Sequence, residues 1–172
     1  MRRFFFTLLA VLVVAPAAYA ASRSVGDGVF ELDSVSGTVV IGTLAQPAKG
    51  ALWGQMDKGS LRVYDPLPGD GQVFVSGYDS KSVSTDYPLQ TTYTGTDLHF
   101  RVTGGKYRLV LKGSGIDVTA VGVGTAQLTG DLLADDPGDY ALNGGKWIAV
   151  PFVSRTVQFG DPTATQTPTQ TP

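Results

Sequence analysis

The chain has 172 residues with 22 glycines, 10 prolines and no cysteine, and its 13 basic and 15 acidic side chains give a formal charge of −2. Without cysteine there can be no disulfide, thiol catalysis, Cys-ligated zinc or acylation at an N-terminal cysteine. The weakly acidic balance argues against general nucleic-acid binding, which needs a basic surface to neutralise phosphates.

Residues 1–20 resemble a secretory signal peptide. Arg2 and Arg3 precede an apolar run over residues 4–15, and Pro16 leads to Ala18-Tyr19-Ala20, a small-residue cleavage pattern. The run is shorter than the roughly 20 apolar residues of a membrane span. Cleavage after Ala20 is expected, with an uncleaved anchor as the alternative. Of the 172 residues, 152 then remain, enough for one domain with its own core. Arg2 and Arg3 leave with the leader, so 11 basic and 15 acidic groups stay and the charge becomes −4. The expected location is secreted or cell-envelope associated, with no membrane contact once the leader is gone, since no polybasic segment would hold anionic lipid.

Residues 21–160 read as a single β domain. Glu31 is the only glutamate against fourteen aspartates, and Asp favours turns where Glu favours helices. Residues 29–35 form a loosely alternating first strand, and residues 38–41, β-branched between Gly37 and Gly42, a firmer second. Residues 46–50 read as a loop around Pro47, 61–64 as a strand, 65–71 as a turn cluster, and 72–76 as a strand. A polar loop over 77–88 and a short edge strand over 91–94 follow.

The stretch 97–112, DLHFRVTGGKYRLVLK, reads as a tight hairpin turning at Gly104-Gly105. Pairing Thr103 with Lys106 sets Val102 against Tyr107, Phe100 against Leu109 and Leu98 against Leu111 on one apolar face. The other face then pairs Arg101 with Arg108, His99 with Val110 and Asp97 with Lys112.

Glycines at 113, 115, 122 and 124 break the next strands, expected at 116–120 and 125–129. An acidic turn over 131–139, a hairpin of 139–142 with 147–150, and a closing strand at 157–159 complete the domain. Short strands at this spacing predict an all-β fold, an antiparallel β-sandwich or small β-barrel. Residues 161–172, DPTATQTPTQTP, read as a disordered tail or, alternatively, a glycosylated or wall-spanning stalk. A faint internal echo aligns Gly50 with Gly115 and Gly59 with Gly124, as in a duplicated strand–glycine–strand unit or a chance match.

The segment from Phe100 to Leu109, FRVTGGKYRL, and that from Gly113 to Gly124, GSGIDVTAVGVG, together resemble small exported proteins of actinobacterial type. These carry F-R-x-x-G-G-[KR]-[YF]-R-L followed by G-x-G-I-D-[VL]-[ST]-A-V-G-x-G. The likeness covers residues 35–147. It implies an exported β domain, and it brings no activity and no functional residue with it.

Candidate chemistry is sparse. His99 is the only histidine, and no G-x-S-x-G nucleophile motif occurs, so a Ser–His–Asp site has no sequence support. Asp117 stands mid-strand on a polar face, where an ordinary ion pair with a neighbouring Arg or Lys is expected. Asp131, Asp135, Asp136 and Asp139 fall close enough for a calcium loop, although they miss the D-x-D-x-D-G spacing and plain turn chemistry explains them too. Arg101 and Arg108, with Lys106 and Lys112, would form a cationic strip on the outward hairpin face, a candidate anion-binding site for an envelope glycan or polymer. The sequence therefore favours a non-enzymatic envelope-associated binding or structural module. A small Asp-dependent carbohydrate-active hydrolase or a calcium-stabilised β module are the alternatives.

Overall fold

The computed structural model describes residues 25–43, 50–84 and 89–164; the expected leader, most of the expected loop at 46–50, the end of that at 77–88 and residues 165–172 of the expected tail lie outside them. These residues form ten strands and no helix. In chain order they are β1 (Gly28–Thr43), β2 (Ala51–Asp65), β3 (Gly71–Ser76), β4 (Ser80–Ser84), β5 (Leu89–Gly104), β6 (Arg108–Gly122), β7 (Gly124–Gly130), β8 (Asp139–Leu142), β9 (Ile148–Ala149) and β10 (Arg155–Phe159).

All pairings are antiparallel and join the strands into one sheet whose backbone is the order β1-β6-β2-β5. Each of these four strands is long enough to serve two layers. The first layer contains the C-terminal halves of β1 and β2 and the N-terminal halves of β5 and β6, flanked by β7 and β10 at one edge and β4 at the other. In the second layer the remaining halves are flanked by β8 and β9 at one edge and β3 at the other.

A line of glycines separates the layers. Gly37 faces both Gly130 and Gly113, and Gly59 faces both Gly113 and Gly95, so five adjacent strands carry glycine at the same level. The sequence reading took several of these residues as strand ends. They are the reverse, the points where long strands bend without stopping. A Cβ on Gly59 would collide with the Lys112 carbonyl, and one on Gly113 with the Lys58 carbonyl, so only glycine lets the backbones close at this crease.

Two short links require the sheet to be folded. β5 and β6 both run antiparallel to β2, on opposite sides of it, and are therefore parallel to each other. Parallel strands ordinarily need a crossover of a dozen residues or more. Here Gly105, Lys106 and Tyr107 suffice, although the link must pass from the Ala51 end of β2 to its Tyr64 end. A flat 15-residue strand is about 50 Å long, whereas Gly104 and Arg108 are at most about 14 Å apart along the chain. Only folding over the crease brings the two ends together. Val123 alone makes the corresponding link from β6 to β7 around β1.

The expected hairpin is therefore absent. β5 and β6 do not pair, because β2 lies between them. Phe100 and Leu109 do both point into the core, as do Leu98, Val102, Tyr107 and Leu111, but they belong to different layers. The alternation had the right faces and the wrong partner. The 139–142 hairpin is present, with Tyr140 opposite Ile148. Of the two architectures expected, the sandwich stands and the barrel does not, since the edges of the sheet remain unjoined. Gly59 lies at the crease and Gly124 at a strand end opposite Thr43, so the internal echo joins unlike positions.

Side chains from both layers fill the space between them, with Phe30 of β1 stacked on Phe159 of β10 at 5.7 Å. The first residues of the expected tail are docked: the Asp161 amide donates to the Gly26 carbonyl at 2.6 Å, and the Asp161 carboxylate accepts from Thr163.

Two expectations follow. Gly59→Ala and Gly113→Ala should each lower the unfolding free energy by roughly 2–3 kcal/mol, the cost of forcing atoms into filled space. Gly42→Ala, whose Cβ would meet only Thr125 Oγ1 at 3.7 Å, should change it by less than about 1 kcal/mol; urea midpoints report both. Tyr107, buried in the link, has its phenol pushed up to about 12 from 10.0 by burial and then by the carboxylates of Asp65 and Asp70. The folded chain thus favours the neutral phenol, and this contribution is complete below pH 10.0 and lost as pH rises toward about 12. Thermal melts across that window should show the fall, and Tyr107→Phe should flatten it.

Candidate anion-binding face

The alternation along β2 and β6 decides which side chains reach the surface of the first layer. Leu61 and Val63 of β2, and Leu109 and Leu111 of β6, point inward. Ser60, Arg62 and Tyr64, and Arg108, Val110 and Lys112, therefore point outward. Ladder register places Arg108 opposite Tyr64, Val110 opposite Arg62 and Lys112 opposite Ser60, and beyond the crease Lys58 opposite Ser114. The exposed cations thus alternate between the two strands, Arg108, Arg62, Lys112, Lys58, advancing two residues at each step. Lys106, exposed in the link, lies two residues before Arg108.

Tyr64 supports the Arg108 end of this track. Its hydroxyl accepts from Arg62 Nη1 at 3.3 Å, and the Arg108 guanidinium lies over its ring at 5.7 Å. One aromatic ring thereby holds two guanidinium groups on the same patch, and planar guanidinium forks suit phosphate and carboxylate oxygens. Flanking strands add hydroxyls and amides, as in the fully registered row Thr129, Thr38, Lys112, Ser60, Thr94, Ser80. The outward positions of this layer include no Asp or Glu among the described residues. Nor does any described carboxylate lie within ion-pair distance of Lys58, Arg62, Arg108 or Lys112.

The track joins two depressions. A shallow groove of about 600 Å³ is lined by Tyr64, Lys106, Arg108, Thr125, Gln127 and Thr156. An open groove of about 1220 Å³ follows the crease, with Lys58, Ser60, Thr94, Lys112 and Ser114 among its walls and Asp131 and Asp79 toward its ends.

The second layer has the opposite character. Glu31, Asp33, Asp97 and Asp117 occupy its outward positions, against Arg101. Arg101 is registered between Trp53 and Phe74, on the other side of the molecule from Arg108. The expected Arg101–Arg108 pair does not exist, because it depended on a hairpin that β2 interrupts. Of the four cations expected on one strip, Lys106, Arg108 and Lys112 lie on the same side of the molecule and Arg101 does not. Arg62 and Lys58 were missed, although the strict alternation of Leu61, Arg62, Val63 and Tyr64 already marked Arg62 as outward.

The remaining candidates are tied into local structure. His99 Nε2 meets Asp97 Oδ1 at 3.1 Å, near the surface. Asp117 forms no ion pair; its carboxylate accepts from the Ser34 amide at 2.7 Å and from Gln55 Nε2 at 2.9 Å, pinning the irregular stretch of β1. Asp131 accepts from the Leu133 amide and Asp136 from the Gly138 amide, each capping its own turn, while Asp139 pairs in β8. No group of three or more His, Asp or Glu side chains is placed to hold a metal ion among the described residues, so the four calcium candidates do not converge. Asp65 and Asp70 are close enough to influence each other beside Tyr107, and burial is the main cause that raises the Asp65 pKa. Both already hold backbone, Asp65 accepting from the Leu67 amide at 3.1 Å and Asp70 from the Lys106 amide at 3.0 Å.

Compared with protein-family models, with curated proteins and with solved structures, the chain matches none.

Proposed function

We propose that this protein is a non-enzymatic, exported binding module of the cell envelope that holds an anionic polymer along the β2–β6 ladder. The observation that carries the reading is the segregation of charge: the outward strand positions of the first layer present Arg62, Arg108 and Lys112 with no acid among the described residues, in a chain whose acids outnumber its bases. Clustered like charges at this density weaken the fold unless a counter-charge arrives. Fixed guanidinium groups amid hydroxyls and amides suit oxygen-rich anions better than an apolar partner. The leader-like residues 1–20 and the resemblance to exported proteins support an envelope setting.

The hydrolase reading would build on a carboxylate pair such as Asp65 with Asp70 beside the buried Tyr107. Because both are engaged in holding the loop and link, they serve structure in our reading.

Binding to immobilised cell-wall polymer, measured at low and physiological salt, tests the proposal. Arg62→Ala and Arg108→Ala should each weaken binding several-fold and reduce the slope of log affinity against log salt by about one cation's share. Arg101→Ala, altered on the opposite layer, should bind as wild type does. Equal binding by all three variants would overturn the assignment of the face.

A further inference from the structure

We propose that the polymer lying on this face is a polyol phosphate with three carbons between successive phosphodiesters, aligned with the strands. The inference rests on the reading of the face as polyanion-binding and goes further by naming the repeat.

The argument is one of matching periods. Along the seam between β2 and β6 a cation comes from alternate sides at every second residue of the first layer: Arg108, then Arg62 opposite Val110, then Lys112, with Lys58 past the bend at Gly59 and Gly113. Two residues of strand advance about 6.4–6.8 Å. A peptide residue contributes three backbone bonds and spans at most about 3.3–3.6 Å. A three-carbon polyol phosphodiester has six backbone bonds per charge: two at phosphorus, two to the terminal carbons and two between carbons. Its extended repeat is therefore close to that of two peptide residues, about 6.6–7.2 Å. Each phosphate can then meet its own cation without either chain stretching. Inorganic polyphosphate, with two backbone bonds per charge, places charges about three times too densely for this seam. A uronate chain spaces its charges by rigid sugar rings, whose period is independent of a strand's.

The chemistry of the flanks agrees. Free polyol hydroxyls between phosphates need donors and acceptors at intervals, and Ser60, Thr38 and Thr94 lie in register beside Lys112. The aromatic support under Arg62 and Arg108 holds guanidinium groups where tetrahedral phosphate oxygens accept two bonds at once.

The test compares four probes with the full chain by calorimetry and salt titration. These are 1,3-linked poly(glycerol phosphate), polygalacturonate and inorganic polyphosphate at equal charge number, and phosphatidylglycerol vesicles, which carry the same headgroup at a bilayer. Poly(glycerol phosphate) should bind at least about ten-fold more tightly than the other three. Its salt slope should correspond to about three cations, falling by about 0.7–0.9 in each of Arg62→Gln and Lys112→Gln. Circular dichroism checks that these surface variants remain folded. Equal affinity for the three soluble polymers, or a preference for polygalacturonate or polyphosphate, would overturn the matched repeat while leaving the polyanion reading intact. Vesicles binding as well as the polymer would overturn it in favour of a headgroup surface. Failure of all four probes would overturn both.

Discussion

Where Gly130, Gly37, Gly113, Gly59 and Gly95 face one another across five strands, neighbouring atoms occupy the places that side chains would need, and at Gly37, Gly113 and Gly59 these are backbone carbonyl oxygens. That contact lets four long strands turn back on themselves, so that one continuous ladder supplies both walls of the core. Everything else depends on it. The links at residues 105–107 and at Val123 can be short only because the strand ends meet, and Tyr107 is buried only because its link crosses between the walls. A sandwich usually joins two separate sheets through their side chains. Here hydrogen-bonded backbone also runs continuously from one layer into the other, so the layers are tied by main chain as well as by packing.

Much of this was legible in the sequence at the level of single strands, and little of it at the level of pairing. Alternation identified the inward residues of β5 and β6 because burial imposes a period of two whichever strand lies alongside. It could not name the neighbour. Gly104-Gly105 looks like a hairpin turn since two adjacent glycines fit positive φ, and both residues do adopt it. The turn nonetheless joins strands one place apart. Residues 51–60 gave no strand signal because Gly54, Asp57 and Gly59 interrupt their alternation, although β2 is the strand on which the central ladder is built. Glycine inside a strand and glycine at its end look the same until the partners are known.

The candidate site follows the same division. Lys106, Arg108 and Lys112 belong to one strand and the link before it, and strand periodicity alone puts Arg108 and Lys112 on one face. Arg62 joins them through a cross-strand register that a local reading cannot supply, and Arg101 leaves for the same reason. Insertion of β2 replaces an unfavourable Arg–Arg pairing with a staggered array in which Tyr64 stands between guanidinium groups. Most outward acids collect on the opposite layer, where Asp117 holds the Ser34 amide and Arg101 stands among them.

The strand order also bears on when the molecule can form. β1 and β2, the first two long strands made, do not pair with each other; β2 can pair with β5, but every partner of β1 lies in β6 or later, from Arg108 onward. No local hairpin can nucleate the centre of the sheet, and non-local pairing of this kind slows folding through the cost of closing large loops. β1 consequently has no partner strand among the described residues until β6 is made.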